Sequence, residues 1–447
     1  MKARARTLAA FLLLSSALPS CSGDTAGGAL ALDAGVRRLS AERSFWPGFD
    51  PLEVPLAVYD GESTYLFRHP SPPEGFERAG AAFLFPGRHP SVVANSSVTL
   101  GEVATATVMI PLLPDSLTLD ERAAVVIHEC FHVYQATTGR RWHANEVDLF
   151  VYPVEDADLL AMRRLETGAL RMALSAAGTA GAASWAGYAL ELRTARFARM
   201  EPRFAEYERR IEVGEGTAAY VQHLAAAGAP ERILPSGFEP QDVRNRAYRT
   251  GAALALLLDE IAPGWQEGFA GDDARFLDSD LAGALDTTRG VRDVSFTAAR
   301  RERTERIARG DVAEYVEGKE AKRKEFMLRP GWRLVFRAAE GEPLRPMGFD
   351  PLNFERVEGG LLHTRYLIAG NDRGSLTVLG GSALTEGIGP HPLFDGISRI
   401  TVAGIEEEPR VVADATRVMV KTPECEAEFE GGYFSGADSS IVITIGR

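Results

Sequence analysis

Cysteine is scarce in this 447-residue chain: three residues, at positions 21, 130 and 425, offer neither a close pair nor a zinc-ribbon spacing. A disulfide framework is thereby excluded, and stability must come from packing. Positive charge is short as well. Lys and Arg total 49 against 62 Asp and Glu, a formal net charge of -13, which argues against a nucleic-acid binder working through an overall basic surface. Beyond the first 21 residues no run is apolar for long enough to cross a bilayer. Internal repeats and low-complexity tracts are lacking too. The composition, 45% hydrophobic and 25% charged, excludes disorder, collagen-like repeats and coiled coil, and suffices for one large core or two to three ordinary ones.

What is present begins with an address. Lys2, Arg4 and Arg6 precede an apolar run from Leu8 to Leu14 and then small residues up to Cys21. This is the layout of a cleavable export signal, too short for a permanent span, so residues 1–20 are expected to leave the mature protein. Leu18-Pro19-Ser20-Cys21 resembles the lipobox of bacterial lipoproteins, although Pro19 is not the usual residue there. That resemblance implies diacylation of Cys21 and a lipid anchor at a membrane surface in the cell envelope, with plain secretion as the alternative. Residues 21–48, opening with the Gly-, Ala- and Asp-rich stretch Ser22 to Ala34, read as a flexible tether.

Three regions follow. Residues 49–115 are turn-rich and β-leaning, with short strand candidates at Val54 to Tyr59 and Tyr65 to Arg68, and a strand from Val103 to Leu112 that stops before Pro114. Residues 116–325 turn to Ala, Leu, Arg and Glu with helical periodicity, including runs at 155–176, 180–226 and 244–262. Residues 326–447 change again, to short apolar runs such as Trp332 to Phe336, Leu361 to Ile368 and Ser440 to Ile445 separated by turn residues. A β-sandwich or small barrel is expected there. The fold class is α+β.

The strongest chemical signal is His128-Glu129-Cys130-Phe131-His132. Two histidines four apart on a helix project from one face and can ligate one metal ion, while Glu129 stands beside them as a base for water. Thr118 and Glu121 suit a capping box, residues 122–127 are mostly apolar, and Gly139 can end the helix. With eight histidines in the chain, a chance match is rare. Catalytic zinc needs a third protein ligand. The downstream candidates are Glu215 and Glu212, in Glu212-Val213-Gly214-Glu215-Gly216, and Glu146, after Asn145. Cys130 falls off the histidine face and reads as a buried thiol. His69 and His89, each in an Arg-His-Pro triplet, read as turn residues.

These motifs resemble the gluzincin metallopeptidases, the group of thermolysin and the alanyl-type aminopeptidases. Their His-Glu-x-x-His helix is followed by a helix whose glutamate, often in Glu-Gly-x-Ala, is the third zinc ligand. Glu215 matches that ligand; Asn145-Glu146 is similar to the shorter Asn-Glu form, at an unusual spacing. Tyr248-Arg249-Thr250-Gly251 resembles the Tyr-x-x-Gly of the aminopeptidases, which implies that Tyr248 donates to the tetrahedral intermediate. The resemblance covers residues 105–260 at most. A Gly-x-Met-Glu-Asn element is missing, which puts aminopeptidase specificity in doubt. The strand ending at Ile110 to Leu112 stands where many metallopeptidases offer an edge strand to a peptide.

The expectation is therefore an exported, lipid-anchored zinc hydrolase with a peptide or protein substrate. His128, His132 and Glu215 would hold zinc, and Glu129 and Tyr248 would carry the chemistry. The alternative is a non-catalytic envelope lipoprotein that binds peptide, glycan or protein through its C-terminal β domain.

Overall fold

The computed structural model describes residues 26–288, 293–349, 353–389, 391, 393–414 and 416–446. The expected export signal, residues 1–20, and Cys21 lie outside these residues. The chain divides into two compact units between Ala308 and Arg309. Among the described residues it is α+β, with nine α-helices and three sheets, a helical region preceding a β-rich one.

The first unit opens on helix α1, Ala26–Glu42. The expected tether is thus corrected over most of its length. Ala29, Leu32, Val36 and Leu39 recur at spacings of three and four and are all buried, and such a stripe is stable once it has a surface to cover. Six strands follow: β1 (Leu56–Tyr59), β2 (Ser63–Phe67), β3 (Glu77–Ala79), β4 (Ala82–Pro86), β5 (Ser96–Leu100) and β6 (Val103–Met109). Their order in the sheet is β3-β4-β2-β1-β6-β5. β6 pairs parallel with β1 and antiparallel with β5, so it is an interior strand. The expectation of an edge at Ile110 to Leu112 is corrected: those residues form a 3₁₀ turn, and the edge strands are β3 and, beside β6, β5.

Helix α2 (Leu119–Thr137) starts with the expected capping box: Thr118 accepts from the Glu121 backbone, and the Glu121 carboxylate accepts from the Thr118 N–H at 2.8 Å. It ends before Gly139, whose φ is +76°. There follow α3 (Ala157–Ser175), α4 (Ala180–Phe197), α5 (Pro202–Ile211), α6 (Thr217–Ala226), α7 (Val243–Ile261), α8 (Leu277–Thr287) and α9 (Ala298–Met327). The run at 180–226 is not one helix. It breaks at 198–201, where Pro202 can begin a helix but not continue one. A π-helical turn, Glu212–Gly216, then joins α5 to α6. One apolar core binds α1, the sheet, α2 to α4 and α6 to α8 through Leu32, Val58, Val108, Ile127, Leu170, Ala186, Val221, Leu257 and Leu281.

The second unit holds the part of α9 from Arg309 onward and two β-sheets. The seven-stranded one runs in order through Gly432–Ala437, Ser440–Ile445, Trp332–Ala338, Ile397–Ile405, Ala383–Gly387, Gly360–His363 and Phe354–Val357. The six-stranded one comprises Arg410–Ala413, Arg417–Lys421, Cys425–Glu430, Gly374–Leu379, Tyr366–Asn371 and Arg345–Phe349. The apolar run from Leu361 to Ile368 is therefore two strands in different sheets, split at Thr364 and Arg365. In Cys425–Glu430 burial alternates residue by residue, the mark of a sheet with one covered face.

Candidate metal centre

α2 supplies the two histidines from one face, with Ala123, Val126, Ile127, Cys130 and Phe131 filling its buried side. The ring nitrogens His128 Nε2 and His132 Nε2 stand 3.1 Å apart. Glu215 Oε2 lies 3.2 Å from His132 Nε2 and 3.9 Å from His128 Nε2. These three residues form a group that could hold a metal ion, their donor atoms all within 4.8 Å of one another. Metal–donor bonds of 2.0–2.1 Å in a tetrahedron put donors about 3.3–3.4 Å apart, so the spacing fits. The donor chemistry fits as well. His132 Nδ1 is 2.7 Å from Gln135 Oε1, which can only accept, so Nδ1 carries a hydrogen and Nε2 is the nitrogen that would ligate once its own proton is displaced.

Electrostatics agree with a pocket built for positive charge. Burial, then the neighbouring His132, push His128 down to about 3, so it is neutral and able to ligate. Burial would lower His132 too, but the Glu215 charge and hydrogen bond outweigh it and lift this histidine to about 9. Glu215 itself is held well below the usual carboxylate range: burial opposes its charge, and His132 and Arg244 overcome that. A cation beside the histidines would replace the proton that Glu215 now favours. Glu129 is buried, and burial pushes its carboxyl up to about 7.

Backbones approach closely at the turn that carries Glu215. A Cβ on Gly216 would stand 2.6 Å from Gly251 Cα, and one on Gly251 would stand 2.5 Å from the Glu212 carbonyl oxygen. Glycine at both positions lets α7 lie against the π turn, which places Tyr248 near Glu215. The Tyr248 hydroxyl oxygen accepts from Arg244, and its hydroxyl has Glu215 within hydrogen-bonding reach. Burial, then Glu215, raise this hydroxyl far above its ordinary value, so it stays protonated.

The other two carboxylate candidates are elsewhere. Glu146 accepts from Arg244 Nε and the Tyr207 hydroxyl, each at 3.1 Å. Glu212 is bound by Arg193 and Thr250 on the far side of the turn. Neither joins the three-residue group. Sequence reasoning missed Arg244, which donates to Glu215 Oε1 at 3.0 Å, and Gln135, which donates to the Gly214 carbonyl at 2.7 Å. The available signal was spacing: Gln135 is three residues from His132, and Arg244 is four from Tyr248. Cys130 is buried, and burial pushes its thiol up to about 12. His69 and His89 sit in matching turns, each Nδ1 accepting at 3.2 Å from the serine backbone two residues on.

No family model, curated protein or solved structure matches the chain. Its own geometry must carry the functional argument.

Proposed function

We propose that this chain is an exported zinc-dependent hydrolase, a gluzincin-like metallopeptidase, with His128, His132 and Glu215 as the zinc ligands. The observation that carries the reading is the convergence of two histidines of α2 and a carboxylate 83 positions downstream of the second one, with Glu129 buried beside them. When bound, zinc supplies Lewis-acid polarisation of the scissile carbonyl and lowers the pKa of the attacking water. Glu129, poised near neutrality by burial, takes the proton of that water and passes it to the leaving amine. Tyr248 keeps its hydroxyl hydrogen and donates it to the developing oxyanion. Arg244 orients that hydroxyl by donating to its oxygen, and it holds the second oxygen of Glu215.

β5, the sheet edge next to α2, suits an extended peptide added as a further antiparallel strand. Export, the lipid anchor at Cys21 and the peptide substrate belong to the same proposal. No helix among the described residues is long and apolar enough to cross a membrane.

Zinc content of protein lacking the first 21 residues tests the site. One zinc per chain is expected, lost or greatly weakened in Glu215→Ala. Glu129→Gln should keep its zinc and lose turnover on a peptide library by about 10²–10⁴-fold. Full turnover in that variant would overturn the mechanism, and zinc unaffected in Glu215→Ala would overturn the ligand set.

A further inference from the structure

The π turn Glu212–Gly216 carries two glutamates with opposite fates. Glu215 reaches the histidines. Glu212, 1% exposed, turns into the protein. There Arg193 of α4 grips both of its oxygens, at 2.7 and 2.5 Å, and the Thr250 hydroxyl of α7 donates to it at 2.8 Å. Arg193 also reaches Glu166 of α3 at 3.0 Å and Asp278 of α8 at 3.5 Å. Four helices thus meet at the backbone segment that presents the third metal-site donor. On its other flank the Gly214 carbonyl accepts from Gln135, whose own oxygen faces His132.

Stability is a poor reason for such a cluster. Desolvating an ion pair costs about as much as the pair regains, and apolar replacements are often as stable. Position is a better one. A π turn holds one residue more than an α turn, and such turns recur at functional sites. If this turn relaxed to α register, Glu215 would swing by about 100° around the helix axis, away from the histidines. Nothing in Glu-Val-Gly-Glu-Gly resists that relaxation locally, since both glycines accept either conformation.

We infer that Arg193 and Thr250, acting through Glu212, are positioning residues that hold the π turn open and so keep Glu215 on the metal site. This inference rests on the metal-centre reading. Glu208 supplies the control. It lies four residues earlier, on α5, bound by Arg196 at 2.5 Å and Arg246 at 2.8 Å in the same buried network, but outside the turn.

The experiment uses the full chain without its export signal, with zinc affinity measured by chelator competition, the absorption spectrum of the cobalt-substituted protein, and the melting midpoint of the metal-free form. Glu212→Gln and Thr250→Val should weaken zinc binding by about 10- to 100-fold and alter the cobalt spectrum. Thr250→Ser should restore both. Glu208→Gln should lower the metal-free midpoint and leave affinity and spectrum unchanged. If Glu212→Gln does not fold, the two Thr250 variants still decide the matter. Equal zinc affinity in all variants, with only the midpoint moved, would overturn the inference and leave the metal centre standing. Equal weakening by Glu208→Gln would also overturn it, by making the effect general to the network. Absence of zinc from the unaltered protein would overturn the metal centre and this inference together.

Discussion

A glycine decides more about this site than its charged residues suggest. Gly216 and Gly251 meet backbone to backbone, and each added Cβ would intrude on the other's chain. Gly216→Ala should therefore force α6 and α7 apart, costing about 1–3 kcal/mol as an overpacked core position does. Because Gly216 follows Glu215 directly, the same change should weaken zinc binding, which distinguishes it from an ordinary core defect. Denaturant unfolding and chelator competition on one sample check both halves. The paired histidines of His-Glu-x-x-His were legible as candidate ligands because a helix places residues four apart on one face whatever surrounds it. Choosing among Glu146, Glu212 and Glu215 was harder, since all three are carboxylates on helical segments. Arg193 turns Glu212 into the protein, Arg244 bridges Glu146 and Glu215, and of the three only Glu215 joins the histidine group; no local rule places those arginines.

Helix α1 shows how an element can hide. It follows a Gly- and Asp-containing stretch and carries three glycines of its own, Gly27, Gly28 and Gly35, so it reads as a tether although its alanines, leucines and arginines favour a helix. Its buried stripe of Ala29, Leu32, Val36 and Leu39 belongs to the main core. Leu32→Ala should accordingly destabilise the first unit by about 2–5 kcal/mol, as a buried leucine does; an unchanged melting curve would mean that the segment is a tether after all. α2 is the opposite case, because its cap, apolar face and terminal glycine all lie within the segment itself. The π turn lies between these extremes. It interrupts a periodic helix without a proline, at a segment whose glycines, Gly214 and Gly216, permit the change of register but do not dictate it.

At the scale of the whole molecule, the proposed metal would act on the first unit, while a buried histidine makes the second sensitive to acid. A ligand that binds only the folded state stabilises by about 2.7 kcal/mol when free at 100 times its dissociation constant. Chelation should therefore raise amide exchange in α2 and α6 of the first unit. Exchange in the strands of residues 332–445 should not change; a rise there would contradict the placement of the site. In the second unit burial pushes His363 down to about 4, against an ordinary value of 6.5. Below pH 6.5 the unfolded chain takes up a proton that the native state refuses, so stability of this unit falls as pH drops from 6.5 towards 4. His363→Leu should flatten that slope in acid titrations followed by hydrogen exchange.

By itself the sequence determined the zinc-type helix motif, the order of β-leaning, helical and β-rich regions, and the caps of α2. Each of these depends on residues within about one or two helical turns of one another, or on composition summed over a long window. Only the tertiary structure decided that β5 rather than β6 forms the sheet edge, that Leu361 to Ile368 divides between two sheets, and that Glu215 rather than Glu146 or Glu212 faces the histidines. The physical reason is common to all three. Pairing between strands, and the partner of a buried charge, are set by groups far away in the chain, whose positions exist only once the core has formed.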